Sequence, residues 1–452
     1  MIIKNTFFIK TYGCQMNFSD SELVINILKN NKYKCLDNIK LANIIIFNIC
    51  TIRSKIDKKI KNIINNIKYI KNRILCIIGC ISLKMRNFFI NNEKINIIIS
   101  PDLYLQLPFL IKRYILFKNK KITNFNFLSN EMYNNIYSYK RFNKVSAYIT
   151  IIRGCDNMCT FCVVPFTRGR EKSRSLKSIL KECKYLYINN YKEIILLGQN
   201  VDSYFWYGEK DYKKNYFLYK KKKKKIKFYN LLKIIAIKFP SMRIRFITSN
   251  PQDMSMKVIK VMKKYDNICK YIHLPFQSGS DKILKLMNRK YTKKQYIKLI
   301  KNIKKKIPNC AITYDVITGF PNETNKDHLE TINLIKKIKF DYGYMFIYSE
   351  RLGTYSQRKY KDNIPLLLKK KRLNEIINLQ SKYSLYNMKK YVNTYQKILI
   401  EGYSKKDKNY LYGRNSQNVI VIVDNIYKLG DIVKVFIYGC TKTVLLSFKK
   451  KC

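Results

Sequence analysis

Cys155, Cys159 and Cys162 stand at spacings of four and three residues in RGCDNMCTFC, the strongest chemical signal in the chain. Three thiolates this close fit an iron–sulfur cluster better than zinc, because zinc sites usually pair a Cys-x-x-Cys with a second, distant pair. No such pair exists in this sequence. Three cysteines on a four-iron cube leave one iron without a protein ligand. The amino and carboxylate groups of S-adenosylmethionine can chelate that iron, and an electron passed into the sulfonium then releases a 5′-deoxyadenosyl radical. Such chemistry belongs to the cofactor, while the protein orients it and excludes water. A structural zinc or inert thiols are the alternatives.

Strand-like AYITIIRG leads directly into Cys155. Five further strand candidates follow between residues 145 and 370: EIILLG, RIRFITS, YIHLPF, AITYDVITGF and YGYMFIY, each separated by a helical stretch. Six β–α units in order predict a partial or open barrel whose site lies at the strand C-terminal ends. Residues 1–120 read as β-α-β-α-β, which implies an open parallel sheet. The strands are NTFFIKTYG, ANIIIFNIC and RILCIIGC. The first helix, SDSELVINILKNN, is expected to open at Ser19, with Glu22 completing a capping box. Cys14, Cys50 and Cys80 each fall at or just after a strand's C-terminal end. Those ends converge on one sheet edge, where ligands bind. Three cysteines in register predict a second metal site; for each alone, a small buried hydrophobe is the alternative. Residues 120–140 read as a linker. From about 375, short strands with Gly and Asn turns predict a small all-β barrel.

The chain has 452 residues, enough for about three domains. Hydrophobic residues make up 47%, so a packed core is expected and disorder is not. Lys+Arg is 90 against Asp+Glu 29, a net charge of +61, which excludes an acidic, partner-free enzyme and brings nucleic acid forward as a partner. Only 16 of the basic residues are Arg, and Ile, Asn, Lys and Tyr crowd every row. AT-rich codons encode those four, so nucleotide bias accounts for much of the charge. Lys220–Lys225 is expected to be a solvated surface insertion, with an RNA-touching loop as the alternative. No signal peptide or apolar run of membrane-spanning length is evident, so a cytoplasmic chain without disulfides is expected.

Cys-x-x-x-Cys-x-x-Cys after the first barrel strand resembles the radical S-adenosylmethionine superfamily. The likeness extends over nearly the whole chain. TYGCQMN, FNIC and IIGC resemble the N-terminal domain of the methylthiotransferases. RGCDNMCTFCVVPFTRGREKSRS, LLGQNVDSY, HLPFQSGSDKILKLMNRKYT and DVITGFPNET are similar to the branch of that family that modifies tRNA. The resemblance implies an α/β multidomain chain: an N-terminal methylthiotransferase domain (1–120), a radical-type core (141–371) and an RNA-binding TRAM barrel (374–447). It also implies two 4Fe-4S clusters, held by Cys14, Cys50 and Cys80 and by Cys155, Cys159 and Cys162. Two molecules of S-adenosylmethionine are used, one to methylate a cluster sulfur and one to yield the radical. The product is a methylthio group on carbon 2 of isopentenylated adenosine at tRNA position 37. A flavodoxin or ferredoxin is the expected electron donor and a monomer the expected state. The rival targets are threonylcarbamoyl-adenosine in tRNA and an aspartate of a small-subunit ribosomal protein; QMN after Cys14 and QSGS at 277–280 favour tRNA. A non-catalytic RNA-binding protein is the rival from another class. YSERLGTYS stands where relatives carry a more Pro-rich loop.

Phe161 is a candidate to pack on the adenine of S-adenosylmethionine, or a core aromatic. Gly198, Gln199 and Asn200 follow a strand and are candidates for its methionine end, or a turn. Asp315 and Gly319 lie at a later strand end, as cofactor contacts or a tight β–α turn. His273 and Gln277 lie at another; His273 is expected to be structural. Arg168, Arg170 and Arg174 are candidates for phosphate or carboxylate, or a solvated basic loop. Cys35, Cys76, Cys183, Cys269, Cys310, Cys440 and Cys452 are expected to be packing residues or incidental thiols.

Overall fold

The computed structural model describes residues 5–51, 54–67, 73–117, 120–126, 131–134, 136, 141–208 and 225–447. Its N-terminal layer comprises β1 (Thr6–Thr11), α1 (Gln15–Asn30), β2 (Lys34–Cys35), β3 (Ile44–Cys50), α2 (Ser54–Asn66), β4 (Ile74–Cys80), α3 (Leu83–Ile90), β5 (Ile97–Ile99), α4 (Leu107–Leu116) and β6 (Ile122–Asn124). The strands form one parallel sheet in the order β2-β1-β3-β4-β5-β6. IIIFNIC and ILCIIGC are buried at every position. Near-continuous apolar runs of this kind are what a strand covered on both faces requires. Register sets Cys50 directly beside Cys80.

The core contains β7 (Ser146–Thr150), β8 (Ile152–Arg153), α5 (Val164–Arg168), β9 (Lys172–Ser173), α6 (Leu176–Ile188), β10 (Glu193–Leu197), β11 (Phe205–Trp206), β12 (Ile226–Lys227), α7 (Phe228–Lys238), β13 (Arg243–Phe246), α8 (Met256–Lys264), β14 (Tyr271–His273), α9 (Asp281–Leu286), α10 (Lys293–Lys306), β15 (Ala311–Thr318), α11 (Asn325–Ile338), β16 (Tyr342–Ile347) and α12 (Tyr355–Lys359). Two three-stranded parallel sheets, β13-β10-β7 and β14-β15-β16, meet through an Ile244–Ile268 bridge. The six expected strands thus make one open, curved wall. Alternate residues of each strand, among them Ile149, Ile194 and Ile244, pack under the outer helices in the main core. The other set, Tyr148, Ile195 and Ile247, packs with Met16 at the start of α1. The N-terminal layer is therefore docked against the concave face.

Helix α13 (Leu366–Lys389) runs unbroken through positions 371–374 and leads into β17 (Tyr395–Tyr403), β18 (Tyr410–Asn415), β19 (Ile420–Asp424), β20 (Ile432–Phe436), β21 (Gly439–Cys440) and β22 (Val444–Leu446). These six strands form one sheet in the order β20-β17-β18-β19-β22-β21. Arg243 donates to the carbonyls of Arg414 and Asn415 at 2.8 and 3.2 Å, and the Lys270 N–H to Ser416 Oγ at 2.8 Å. Arg243 and Lys270 lie at the strand N-terminal end of the wall, so the C-terminal sheet floors the barrel and leaves its mouth to the N-terminal layer. Among the described residues no helix is long and apolar enough to cross a membrane.

Two expectations fail here. Helix α1 begins at Gln15, with Cys14 as its N-cap, and Ser19 and Glu22 lie inside it. Ser19 Oγ bonds Thr150 Oγ1 at 3.1 Å and Glu22 accepts from Arg141 at 2.8 Å. Their polar character serves an interdomain contact, which a local capping rule cannot distinguish from a helix start. Nor do the described residues within 120–140 behave as a free linker. Tyr133 is buried, stacks on Tyr104 and carries Arg153 over its ring, and Asn134 accepts from the Ser175 N–H. Most of the Lys220–Lys225 run, and Cys452, lie outside the described residues.

Across the joint, Asp20 of α1 accepts from Arg153 at 2.6 Å and from Arg168 at 2.9 Å, with all three side chains buried. Removing one partner of a buried ionic group strands the others, at a cost of about 3–5 kcal/mol. Asp20→Ala should lower stability by that amount, read as a reduced urea midpoint of the full chain; an unchanged midpoint would contradict this packing.

Candidate active site

Cys14, Cys50 and Cys80 meet at the C-terminal edge of the N-terminal sheet. Gly13, at φ +134°, lets the turn pass so near Cys50 that an added Cβ would lie 2.5 Å from the Cys50 Cβ. Cys50 shares hydrogen bonds with both Cys14 and Cys80. That sharing holds the Cys50 proton in place, and its thiol stays well above the ordinary range. The same bond, with help from the Arg168 charge and the N–H groups of Asn17 and Met16, brings Cys14 down to about 5 against the penalty of burial. Cys80 is lowered too, first by Cys50 and then by Arg168. Two of the three groups are thus disposed to be thiolates, the form that binds metal.

Cys155, Cys159 and Cys162 occupy the loop between β8 and α5. The loop is pinned from the α9 end: Thr160 bonds the carbonyls of Met287 and Leu286 at 3.1 and 2.8 Å, and Asn288 reaches the Met158 carbonyl at 3.0 Å. Arg289 donates to Cys159 Sγ at 3.3 Å and to Asn250 Oδ1 at 3.0 Å. The Val164 N–H and Asn157 donate to Cys162 and Cys155, each at 3.5 Å. Burial pushes Cys162 up to about 12. Among the described residues no three His, Cys, Asp or Glu are spaced to hold one metal ion.

Around the mouth, buried polar atoms collect without partners among the described residues: Gln199 Oε1, Asn200 Oδ1, Gln277 Oε1 and Thr318 Oγ1, with Asp202 and Ser249, which bond each other, beside them. They follow or end four different wall strands. Buried polar groups normally find partners, so this ring suits a polar small molecule with several donors. Asn200 also donates to Asp253 at 2.7 Å. Burial raises Asp202 to about 7.

The other expected residues are placed as follows. Phe161 is half-buried against Ile283, Met287, Phe320 and Tyr348. Gly198 faces Ile152, whose Cβ lies 3.1 Å from where a Cβ would be added. Gly319, at φ +70°, is covered by the Lys369 stem, 2.3 Å from an added Cβ, and its N–H bonds Glu323 at 2.7 Å, an arrangement that makes the β–α turn. Asp315 is part-exposed and 3.4 Å from His273 Nε2, while His273 Nδ1 meets Thr313 at 2.9 Å. Arg170 is exposed and pairs with Asp156. Arg168 and Arg174 do not form a solvated loop: both are buried, Arg174 in an ion pair with Glu182, which also binds Arg141. Cys76 packs under α1 in the apolar layer, set back along the strand from the sheet edge that carries Cys80, and Cys183 and Cys310 lie in the main core. Three residues of this site were not anticipated: Asn17 and Asp20 in the QMNFSD run after Cys14, and Arg289 in LMNRKYT. No local signal marks the last, which is distant from the cysteine loop in sequence and meets it only in the fold.

Residues 149–335 match the Radical SAM superfamily, and residues 6–100 match the Uncharacterized protein family UPF0004. A tRNA-2-methylthio-N(6)-dimethylallyladenosine synthase of Karelsulcia muelleri is 52% identical over 99% of both chains. The enzyme so named from Christiangramia forsetii is 46% identical over 98% of this chain and 94% of its own. The chain belongs to the tRNA-2-methylthio-N(6)-dimethylallyladenosine synthase family. As in other members of the radical SAM superfamily, its chemistry is that of a [4Fe-4S] cluster with S-adenosylmethionine, to which the thiol triads and the ring of polar atoms are suited. The radical S-adenosylmethionine methyltransferase TsrM from Kitasatospora setae, solved with cobalamin and a [4Fe-4S] cluster bound, aligns with a TM-score of 0.55 at 10% identity. That alignment covers 78% of this chain and 77% of TsrM, a likeness of fold.

In iron-free protein, alkylation of Cys14 should reach half its limiting rate near pH 5, since the thiolate forms once pH exceeds the lowered value. Cys162, raised to about 12, should stay unreactive at neutral pH. Peptide mass spectrometry from about pH 4 to about pH 9, a range that brackets the lowered value of Cys14 and the ordinary thiol value of roughly 8.5, checks both. Cys14 reacting only at the alkaline end would contradict the shared-proton arrangement.

Proposed function

We propose that this chain adds a methylthio group to carbon 2 of N6-isopentenyl adenosine at tRNA position 37, using two molecules of S-adenosylmethionine. The observation that carries this reading is Arg168, which follows one cysteine triad in sequence and bonds a sulfur of the other, on a chain whose relatives share its full length. When bound, the two clusters and S-adenosylmethionine supply hydrogen-atom abstraction and the transferred sulfur.

The residues divide that work. Cys155, Cys159 and Cys162 hold one cluster and leave an iron for the amino acid end of S-adenosylmethionine. Gln199, Asn200, Ser249, Gln277 and Thr318 satisfy its polar groups, while Gly198 keeps the β10 end slim. Phe161 and Gly319 brace the loop and the β15 turn beneath the cofactor, and Asp315 faces the mouth from the same strand. Cys14, Cys50 and Cys80 hold the second cluster across the mouth. Arg289 fixes Cys159 and keeps the loop closed to water. tRNA approaches a chain of net charge +61, which favours a polyanion at long range. The C-terminal sheet acts as a TRAM-type RNA-binding domain, an acidic flavodoxin or ferredoxin delivers electrons, and the enzyme works as a cytoplasmic monomer.

The test is an anaerobic reaction of iron-reconstituted protein with S-adenosylmethionine, a reductant and isopentenylated tRNA, read by nucleoside mass spectrometry. A methylthio mass gain on isopentenyl adenosine is expected, and Cys155→Ala or Cys50→Ala should each abolish it. Formation of 5′-deoxyadenosine with that nucleoside unchanged would overturn the substrate assignment.

A further inference from the structure

Arg168 ends α5, six residues after Cys162, yet its side chain crosses to the other triad. Nε donates to Cys80 Sγ at 2.8 Å, and Nη2 donates to Asn17 Oδ1 at 3.0 Å and Asp20 Oδ2 at 2.9 Å. Nη1 has no partner among the described residues. Asn17 Oδ1 lies 3.8 Å from both Cys14 Sγ and Cys80 Sγ, so one amide and one guanidinium line the triad. Cys80 and Arg168 are both buried, which leaves their interaction little screened by solvent. Arg289 stands in the same relation to Cys159 in the other triad.

We infer that Arg168 is a positioning residue for the N-terminal cofactor: reaching over from the loop of the other triad, its guanidinium holds the Cys80 sulfur and raises the reduction potential of the cluster bound there. Hydrogen bonds and positive charge at a ligating sulfur favour the more negative, reduced state. Asp20 orients the guanidinium, and Arg153 shares the same carboxylate, so the tuning group is fixed by the joint between the layers. The inference rests on Cys14, Cys50 and Cys80 holding a cluster.

The measurement is an EPR-monitored redox titration of the reconstituted full chain carrying Cys155→Ala, Cys159→Ala and Cys162→Ala, in which the N-terminal triad alone can hold a cluster. In that background Arg168→Lys should lower the midpoint potential, and Arg168→Gln should lower it further. Arg289→Lys should leave it unchanged. An unaltered midpoint in both Arg168 variants, or an equal shift from Arg289→Lys, would overturn the inference. A parent chain that takes up no iron would overturn the cofactor reading and this inference with it. Where an Arg168 variant fails to assemble, pulsed EPR of the reduced parent labelled with 15N-arginine decides: a guanidinium 15N coupling supports the contact, and its absence overturns it.

Discussion

One carboxylate, that of Asp20, accepts from Arg153 of β8 and from Arg168 of α5. Burial pushes the Asp20 carboxyl up, and the two guanidiniums more than offset this, holding it below the usual carboxylate range. The rest of the active centre depends on that contact. It seats α1 on the concave wall, and α1 begins at Cys14. It aims Arg168 at Cys80. The neighbouring set, in which Arg141 binds Glu22 and Glu182 while Arg174 binds Glu182, extends the same seam. A buried ionic seam adds little net stability over apolar packing, but it punishes any other register of the two layers.

Arginine and lysine are used differently along this chain. Arg141, Arg153, Arg168, Arg174, Arg245 and Arg372 are buried, whereas Lys369 is the one buried lysine among the described residues. The planar fork of arginine can satisfy two acceptors in fixed directions, which an ammonium on a flexible stem does less well. The lysine excess therefore lies outside the architecture. It raises the long-range attraction for polyanions, while in the interdomain seam Lys172, bonded to Asp102 at 2.6 Å, works beside the arginines.

Much of this organisation is legible in the amino-acid order. The cysteine spacing at 155–162, the three strand-end cysteines and the six-strand alternation are local patterns, and local patterns survive translation into structure. Misreadings arose where a residue serves a distant partner. Ser19 and Glu22 carry the letters of a helix cap but face Thr150 and Arg141. Asn- and Tyr-rich residues near 133 look like linker, yet Tyr133 packs under Arg153. Arg168 and Arg174 sit in a basic run that reads equally as anion-binding or solvated, and their acidic partners, Asp20 and Glu182, lie in α1 and in α6. Tertiary electrostatics of this kind has no sequence period.

The central claim is that the two triads address one mouth. Helix α5 rises only about 6 Å between Val164 and Arg168, so the two cofactor sites are close along the chain's own path. The decisive measurement is the EPR spectrum of the fully loaded, fully reduced chain compared with those of its two single-cluster variants, Cys155→Ala and Cys50→Ala. Magnetic interaction between neighbouring clusters should broaden or split the intact spectrum beyond the sum of the two. An intact spectrum equal to that sum would place the sites too far apart to share a substrate and would contradict the account.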